Sequence, residues 1–195
     1  NRVLKSSELI SNLSLFIDDS PALNISSIRT RARRLKRKNG LDLIIVDYLQ
    51  LITSNSKNSN DNRVKEVSDI TRGLKAIAKE LNVPVIALSQ LSRKVEDRED
   101  KRPQLSDLRE SGAIEQDADL VVFLYREEYY LQRSEPTEGT DKHEIWLNKM
   151  SEIHNVAEAI IAKHRHGPIS KIKLHFNSSS TKFSDFIDTN NYSNS

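Results

Sequence analysis

A chain of 195 residues is long enough for one domain with a full core and short for two. Its 36% hydrophobic and 30% charged residues describe a heavily hydrated surface, and a net charge of +2 is too small to argue nucleic acid from charge alone. The lack of cysteine excludes a disulfide framework or a thiolate metal site, and no run of residues approaches a membrane span. Asn1 opens neither a signal peptide nor an initiator-Met start, so the chain is expected to be a piece of a longer protein.

Helix and strand signals alternate along the chain, which predicts an α/β domain with a mainly parallel sheet. A first helix is expected over Arg2 to Asn12, then a short strand, Leu13 to Ile17, ending in Asp18 and Asp19. Ile25, Ile28, Ala32 and Leu35 recur at helical spacing and predict a helix from Ser26 to Lys38, stopped by Gly40. Its Arg29 to Lys38 run is dense in cations. The run could face nucleic acid, but the apolar stripe on the same helix explains the charges as its solvated side.

The stretch LDLIIVDYLQLI, Leu41 to Ile52, follows. Its aliphatic run predicts a central strand covered on both faces, delivering Asp47 to the strand end where open α/β sheets bind ligands. In P-loop NTPases such an acid holds magnesium. A buried strand that merely ends in Asp fits the stretch equally well. After the polar loop SNSKNSNDN, the apolar stripe Val64, Val67, Ile70, Leu74, Ile77, Ala78 and Leu81 predicts a helix over Arg63 to Leu81. Val83 to Leu88 reads as a second buried strand, with Gln90 just past its end, placed either to bond a phosphate oxygen or to cap the strand.

The connector Arg93 to Arg102 is densely charged, and Leu105 to Ala118 reads as short helix and loop. Within it DLRESG, Asp107 to Gly112, offers the planar fork of Arg109 and the close backbone approach that Gly112 permits. That suits a nucleic-acid backbone, or a solvated turn with a salt bridge. Leu120 to Tyr125 is a third expected buried strand, and HEIWLNKMSEI carries a broken amphipathic pattern. Val156 to Lys163 and Ile169 to Phe176 predict strands joined across Gly167-Pro168, and the Ser/Asn-rich end is expected to be disordered past Phe186. Lys163 and Arg165 stand at alternate positions of a strand end, aimed together at phosphates or simply solvated. His164 and His166 lack the acid or Cys pattern of a metal site. No GxxxxGK[ST] occurs, so the chain has no phosphate-cradling loop of its own.

Together the segments IDDSP, RTRARRLKRKNGLDLIIVDYLQLI, NRVKEVSDITRGLKAIAKELNVPVIALSQLSRKVEDREDKRPQLSDLRESGAIEQDADLVVFLYREEYY and AIIAKHRHGPISKIKLHFN resemble the C-terminal motor domain of DnaB-type replicative helicases. The resemblance covers most of the chain in the family's order. It implies a RecA-like P-loop NTPase core, flanked by helices, with a C-terminal β-hairpin region and its N-terminal part missing. The motor would occupy residues 1–186, followed by a polar tail, 187–195. The family implies a homohexameric ring that uses ATP and Mg2+ to translocate on single-stranded DNA, with primase and a helicase loader as partners and no membrane.

By position, Asp47 resembles the Walker B magnesium residue, acting through water, and Gln90 resembles the γ-phosphate sensor. Arg109, Glu110 and Gly112 fall on the loop that family members place against DNA. Lys163 and Arg165 match the pair that acts on the neighbouring subunit's nucleotide, with Arg165 as the arginine finger. The Walker A loop and the glutamate that polarises water precede Asn1 in the family's order, so the fragment alone is expected to be inactive. His166 replaces the usual Asn before Gly-Pro, and Gln132 to Asn155 is longer than the usual connector. A RecA-type recombinase, or a degenerate module that binds DNA or a partner without turnover, are the competing readings. Frequent Asn, Ile, Lys and Ser imply AT-rich coding DNA, which fits a plastid stroma or else a bacterial cytoplasm and nucleoid.

Overall fold

The computed structural model describes residues 2–53, 63–108 and 112–187. Asn1, the loop at 54–62, Arg109, Glu110 and Ser111, and the tail past residue 187 lie outside the described residues. Helix α1, Arg2–Ser11, opens the chain. The expected strand Leu13 to Ile17 does not form. Leu13, Leu15, Phe16 and Ile17 are exposed, and no described segment offers them a ladder to satisfy their backbone groups.

Helix α2, Ile25–Asn39, begins where Asn24 accepts the Ser27 N–H at 2.8 Å, and it ends at Gly40, whose φ of +83° suits glycine. Helix α3, Arg63–Leu81, has the predicted bounds. Val67, Ile70, Leu74, Ile77 and Leu81 are buried as its stripe requires, while Val64 at its first turn is exposed. Arg29 and Arg33 of α2 pair with Glu80 of α3, Lys36 donates to the Leu81 carbonyl, and Arg31 pairs with Asp18. Arg29, Arg31, Arg33 and Lys36 of the basic run therefore tie α2 to its own surroundings.

Strands β1, Ile44–Val46, and β2, Val85–Ala87, pair in parallel with Ile45 opposite Ile86. Leu88 N–H to the Val46 carbonyl and Leu49 N–H to the Leu88 carbonyl, each 2.9 Å, prolong the ladder past both strands. Short 3₁₀ turns follow at Leu49–Leu51, Arg93–Asp97 and Leu105–Asp107. Helix α4, Gly112–Asp117, leads into the second sheet.

That sheet is antiparallel throughout, in the order β3, Leu120–Tyr125; β4, Val156–His164; β5, Ser170–Asn177; and β6, Lys182–Asp185. The β4–β5 hairpin is the expected one. Strand β6 has no apolar run to announce it, and it holds on through ladder bonds to β5 and the contact of Phe183 with Phe176, 4.8 Å between ring centres. Between β3 and β4 lie α5, Glu127–Leu131, and α6, Asp141–Ile153, the latter capped by Thr140. The α/β class stands. The described strands, however, pair in parallel once and antiparallel three times, so the parallel part is smaller than expected.

Both sheets contribute to one core, in which Val83, Val121, Phe123 and Ile160 join the α3 stripe. The expectation of strands covered on both faces fails. In β3, Val121, Phe123 and Tyr125 are buried while Leu120, Val122 and Leu124 are exposed. Ile45 of β1 and Ile86 of β2 are likewise 61% and 53% exposed. The described elements cover one side of each sheet only.

Candidate functional site

The β1–β2 ladder brings Asp47 and Gln90 to the same end of adjacent parallel strands, because Val46 lies opposite Ala87. Both residues are exposed, and the Asp47 carboxylate has no protein partner among the described residues. The peptide bond between Asp47 and Tyr48 is cis. Gln50, in the 3₁₀ turn three residues past Asp47, spans the two strand ends. Its amide donates to Ser89 Oγ at 3.1 Å, and its carbonyl accepts the Gln90 N–H at 3.4 Å. Sequence reasoning passed over Gln50. Its signal was an amide within the apolar YLQLI run, one turn beyond the strand-end acid.

Lys163 and Arg165 sit at the far end of β4 and part company there. Lys163 donates to the Glu115 carbonyl and, at 3.4 Å, to the Gln116 carbonyl, so it caps the C-terminal end of α4. Arg165 pairs with Asp119 at 3.1 Å, and its N–H donates to the Asp119 carbonyl at 2.8 Å. Lys75 of α3 pairs with the same carboxylate and holds it below the usual carboxylate range. In the turn after Arg165, a Cβ at Gly167 would meet the His164 ring at 2.4 Å, so a larger residue there would have to displace that exposed imidazole. Among the described residues, no hydrogen bond or ion pair links Asp47 or Gln90 to Lys163 or Arg165.

Gly112 is the first residue of α4, and the Asp117 carboxylate near the end of that helix accepts Thr71 Oγ1 of α3 at 2.6 Å. On the upstream side, Asp107 accepts both Arg98 Nη groups, at 3.0 and 2.8 Å, and the Gln104 N–H at 2.8 Å. Arg102 then binds Glu158 of β4 through two hydrogen bonds, 3.0 and 2.7 Å, and reaches Glu127 at 3.2 Å. The Arg102 guanidinium also lies 4.9 Å from the Tyr125 ring centre. Burial, with Glu127 adding to it, pushes that phenol up to about 12. The predicted DNA segment is thus flanked by a salt-bridged connector on one side and a capped helix on the other.

An exposed acid at a strand end, without a competing protein partner, is free to take a metal-bound water, and an exposed amide beside it can bond a phosphate oxygen. The donor set therefore fits magnesium and a nucleotide phosphate in part. The cradle of backbone amides and its lysine is not among these residues.

Residues 1–185 match the family model described as the DnaB-like helicase C terminal domain. The chain is 62% identical over 183 residues to a protein named replicative DNA helicase DnaB from Rickettsia typhi, covering 94% of this chain and 36% of that protein. A replicative DNA helicase DnaB from Geobacillus stearothermophilus is 52% identical over 174 residues, covering 89% and 34% respectively. Among solved structures, the ATPase domain of G40P superposes with a TM-score of 0.81 at 42% identity, over 95% of this chain and 60% of that one. A DnaB-like replicative helicase, solved to describe its interactions with primase, gives 0.78 at 41% identity, over 95% and 41%. The chain spans about a third of the length of the curated relatives it matches, 36% of the first. With the whole of residues 1–185 matched and the RecA-like fold in place, the chain belongs to the family of DnaB-like helicase C-terminal domains.

Proposed function

We propose that the chain forms the second part of an ATP-driven motor that moves along single-stranded DNA and unwinds the duplex at a replication fork. The observation that carries this reading is the family match over residues 1–185. Residues 1–186 then make up a partial motor domain, and 187–195 a tail. Asp47 would hold magnesium through water, and Gln90, braced by Gln50, would bond the γ-phosphate. Magnesium bound with ATP would supply charge stabilisation at the phosphates. Arg109, Glu110 and Gly112 meet the DNA backbone. The phosphate cradle comes from the upstream part of the longer protein, so the isolated chain is inactive. A homohexameric ring, primase and a helicase loader belong to the same reading. The high identity to a bacterial relative from Rickettsia typhi favours a bacterial cytoplasm over a plastid stroma.

Lys163 and Arg165 serve the neighbouring subunit's nucleotide. For Arg165 this means leaving Asp119, and an exposed ion pair contributes only about 0–1 kcal/mol, so phosphate competes with it easily. In the full-length protein, Arg165→Ala is expected to lower ATP turnover by roughly 10³-fold or more while nucleotide binding persists. Mixing that variant with one lacking the Walker A lysine should restore part of the turnover at mixed interfaces. Mixed rings that stay silent would overturn the assignment of Arg165 to the neighbour's site.

A further inference from the structure

The connector between Gln90 and Gly112 is tied together at one buried carboxylate. Asp107 is 5% exposed, and its side chain accepts three N–H groups: two from Arg98 and one from the Gln104 backbone. Its carbonyl accepts the Ser92 N–H at 2.9 Å. Ser92 is itself buried, and it stands two residues after Gln90. Arg98 spends a further Nη2 hydrogen bond, 2.9 Å, on the Arg102 carbonyl. Arg102 in turn grips Glu158 of β4. The residue after Asp107, Leu108, is buried in the core.

We propose that Asp107 and Arg98 are positioning residues that transmit the position of the Gln90 strand end to the start of the DNA-contact block. This inference rests on the helicase reading above. A buried carboxylate with three convergent donors cannot turn without losing at least one of them, so its geometry is fixed by its surroundings. The Arg98 guanidinium is only partly buried, so the pair's worth lies in the orientation its fork imposes more than in net stability. Here the orientation fixed is that of the backbone joining Ser92 to Leu108. A shift at Gln90 passes through two residues and one hydrogen bond to Asp107, and the Arg102–Glu158 anchor keeps the rest of the connector from absorbing it. Neither Asp107 nor Arg98 lies at the strand end that meets nucleotide, so their loss leaves the phosphate-binding groups in place.

The test uses the full-length protein with Asp107→Asn and, separately, Arg98→Lys. ATP hydrolysis is measured with and without single-stranded DNA, along with the KM for ATP and the thermal midpoint. Asp107→Asn is expected to keep the DNA-free rate within about twofold and the KM unchanged, while the stimulation by DNA falls roughly tenfold, within the usual span of coupling between sites. Arg98→Lys keeps the charge but loses the fork, so it should fold as the parent does and lose part of the stimulation. Parallel losses of the DNA-free and DNA-stimulated rates in both variants would reduce the pair to a structural role and overturn the proposal. Full stimulation in both would also overturn it. If the unaltered protein shows no stimulation by DNA, the helicase reading itself falls, and that outcome is visible before any variant is made.

Discussion

Glu128 is the most deeply buried charge in the described chain, 2% exposed at the start of α5. Burial pushes its carboxyl up, yet the Arg126 guanidinium at 3.0 Å, the Asn155 backbone amide and His154 Nδ1 at 2.9 Å together hold it below its ordinary value. Arg126 is itself fixed by the Phe176 ring, 3.9 Å from its guanidinium carbon. The unfolded chain therefore binds this proton more readily than the folded one. The stabilisation is complete above the unfolded carboxyl value of about 4.3 and is lost as pH falls through the lower folded value. Glu128→Gln is expected to cost about 1–3 kcal/mol at neutral pH and to make the decline of stability in acid shallower. Urea unfolding at a series of pH values checks both, and an unchanged pH slope would remove Glu128 from the account.

At the scale of elements, α3 is held by close approach as well as by its stripe. A Cβ at Gly73 would meet Ile25 Cγ2 at 2.6 Å, where α2 begins against α3. Gly73→Ala gains helix propensity of about 1 kcal/mol, but pressing a methyl against a β-branched side chain costs about 1–3 kcal/mol. The expected result is a lower thermal midpoint, recovered in part by pairing the change with Ile25→Ala. A midpoint that rises on Gly73→Ala alone would show that α2 yields freely. The bounds of α3 and β3 were legible because stripe, run and punctuation agreed. The Leu13 to Ile17 segment shows the opposite case: an apolar run becomes a strand only when another strand accepts its backbone, and none of the described segments does. The bracing of Gln90 by Gln50, and the splitting of Lys163 and Arg165 between α4 and Asp119, were invisible because each depends on residues distant in sequence.

For the molecule as a whole, the apolar residues on the outer side of the two sheets dominate its behaviour. Ile45, Ile86, Leu88, Val122 and Leu124 are all exposed. Their composition is that of strands covered on both faces, and a surface of this kind marks an interaction site or an aggregation risk. The isolated chain is expected to bind a hydrophobic dye and to associate as its concentration rises, and Ile86→Lys with Leu124→Lys should weaken both. Sedimentation velocity over a range of concentrations checks the association, and a monomer throughout would mean that the exposed faces are harmless.

The sequence by itself determined the α/β class, the α3 helix, the β3 strand and the family, because these rest on local periodicity and on long motif runs that need no distant partner. It also pointed to Asp47 and Gln90, since residues just past strand ends can be counted along the chain. Only the tertiary structure decided that Leu13 to Ile17 stays irregular, that β6 forms, that each sheet is covered on one side, and that Asp107 gathers three donors. Each of those outcomes depends on which segments meet in space, and ladder bonds, burial and salt bridges between distant residues exist only once they have met.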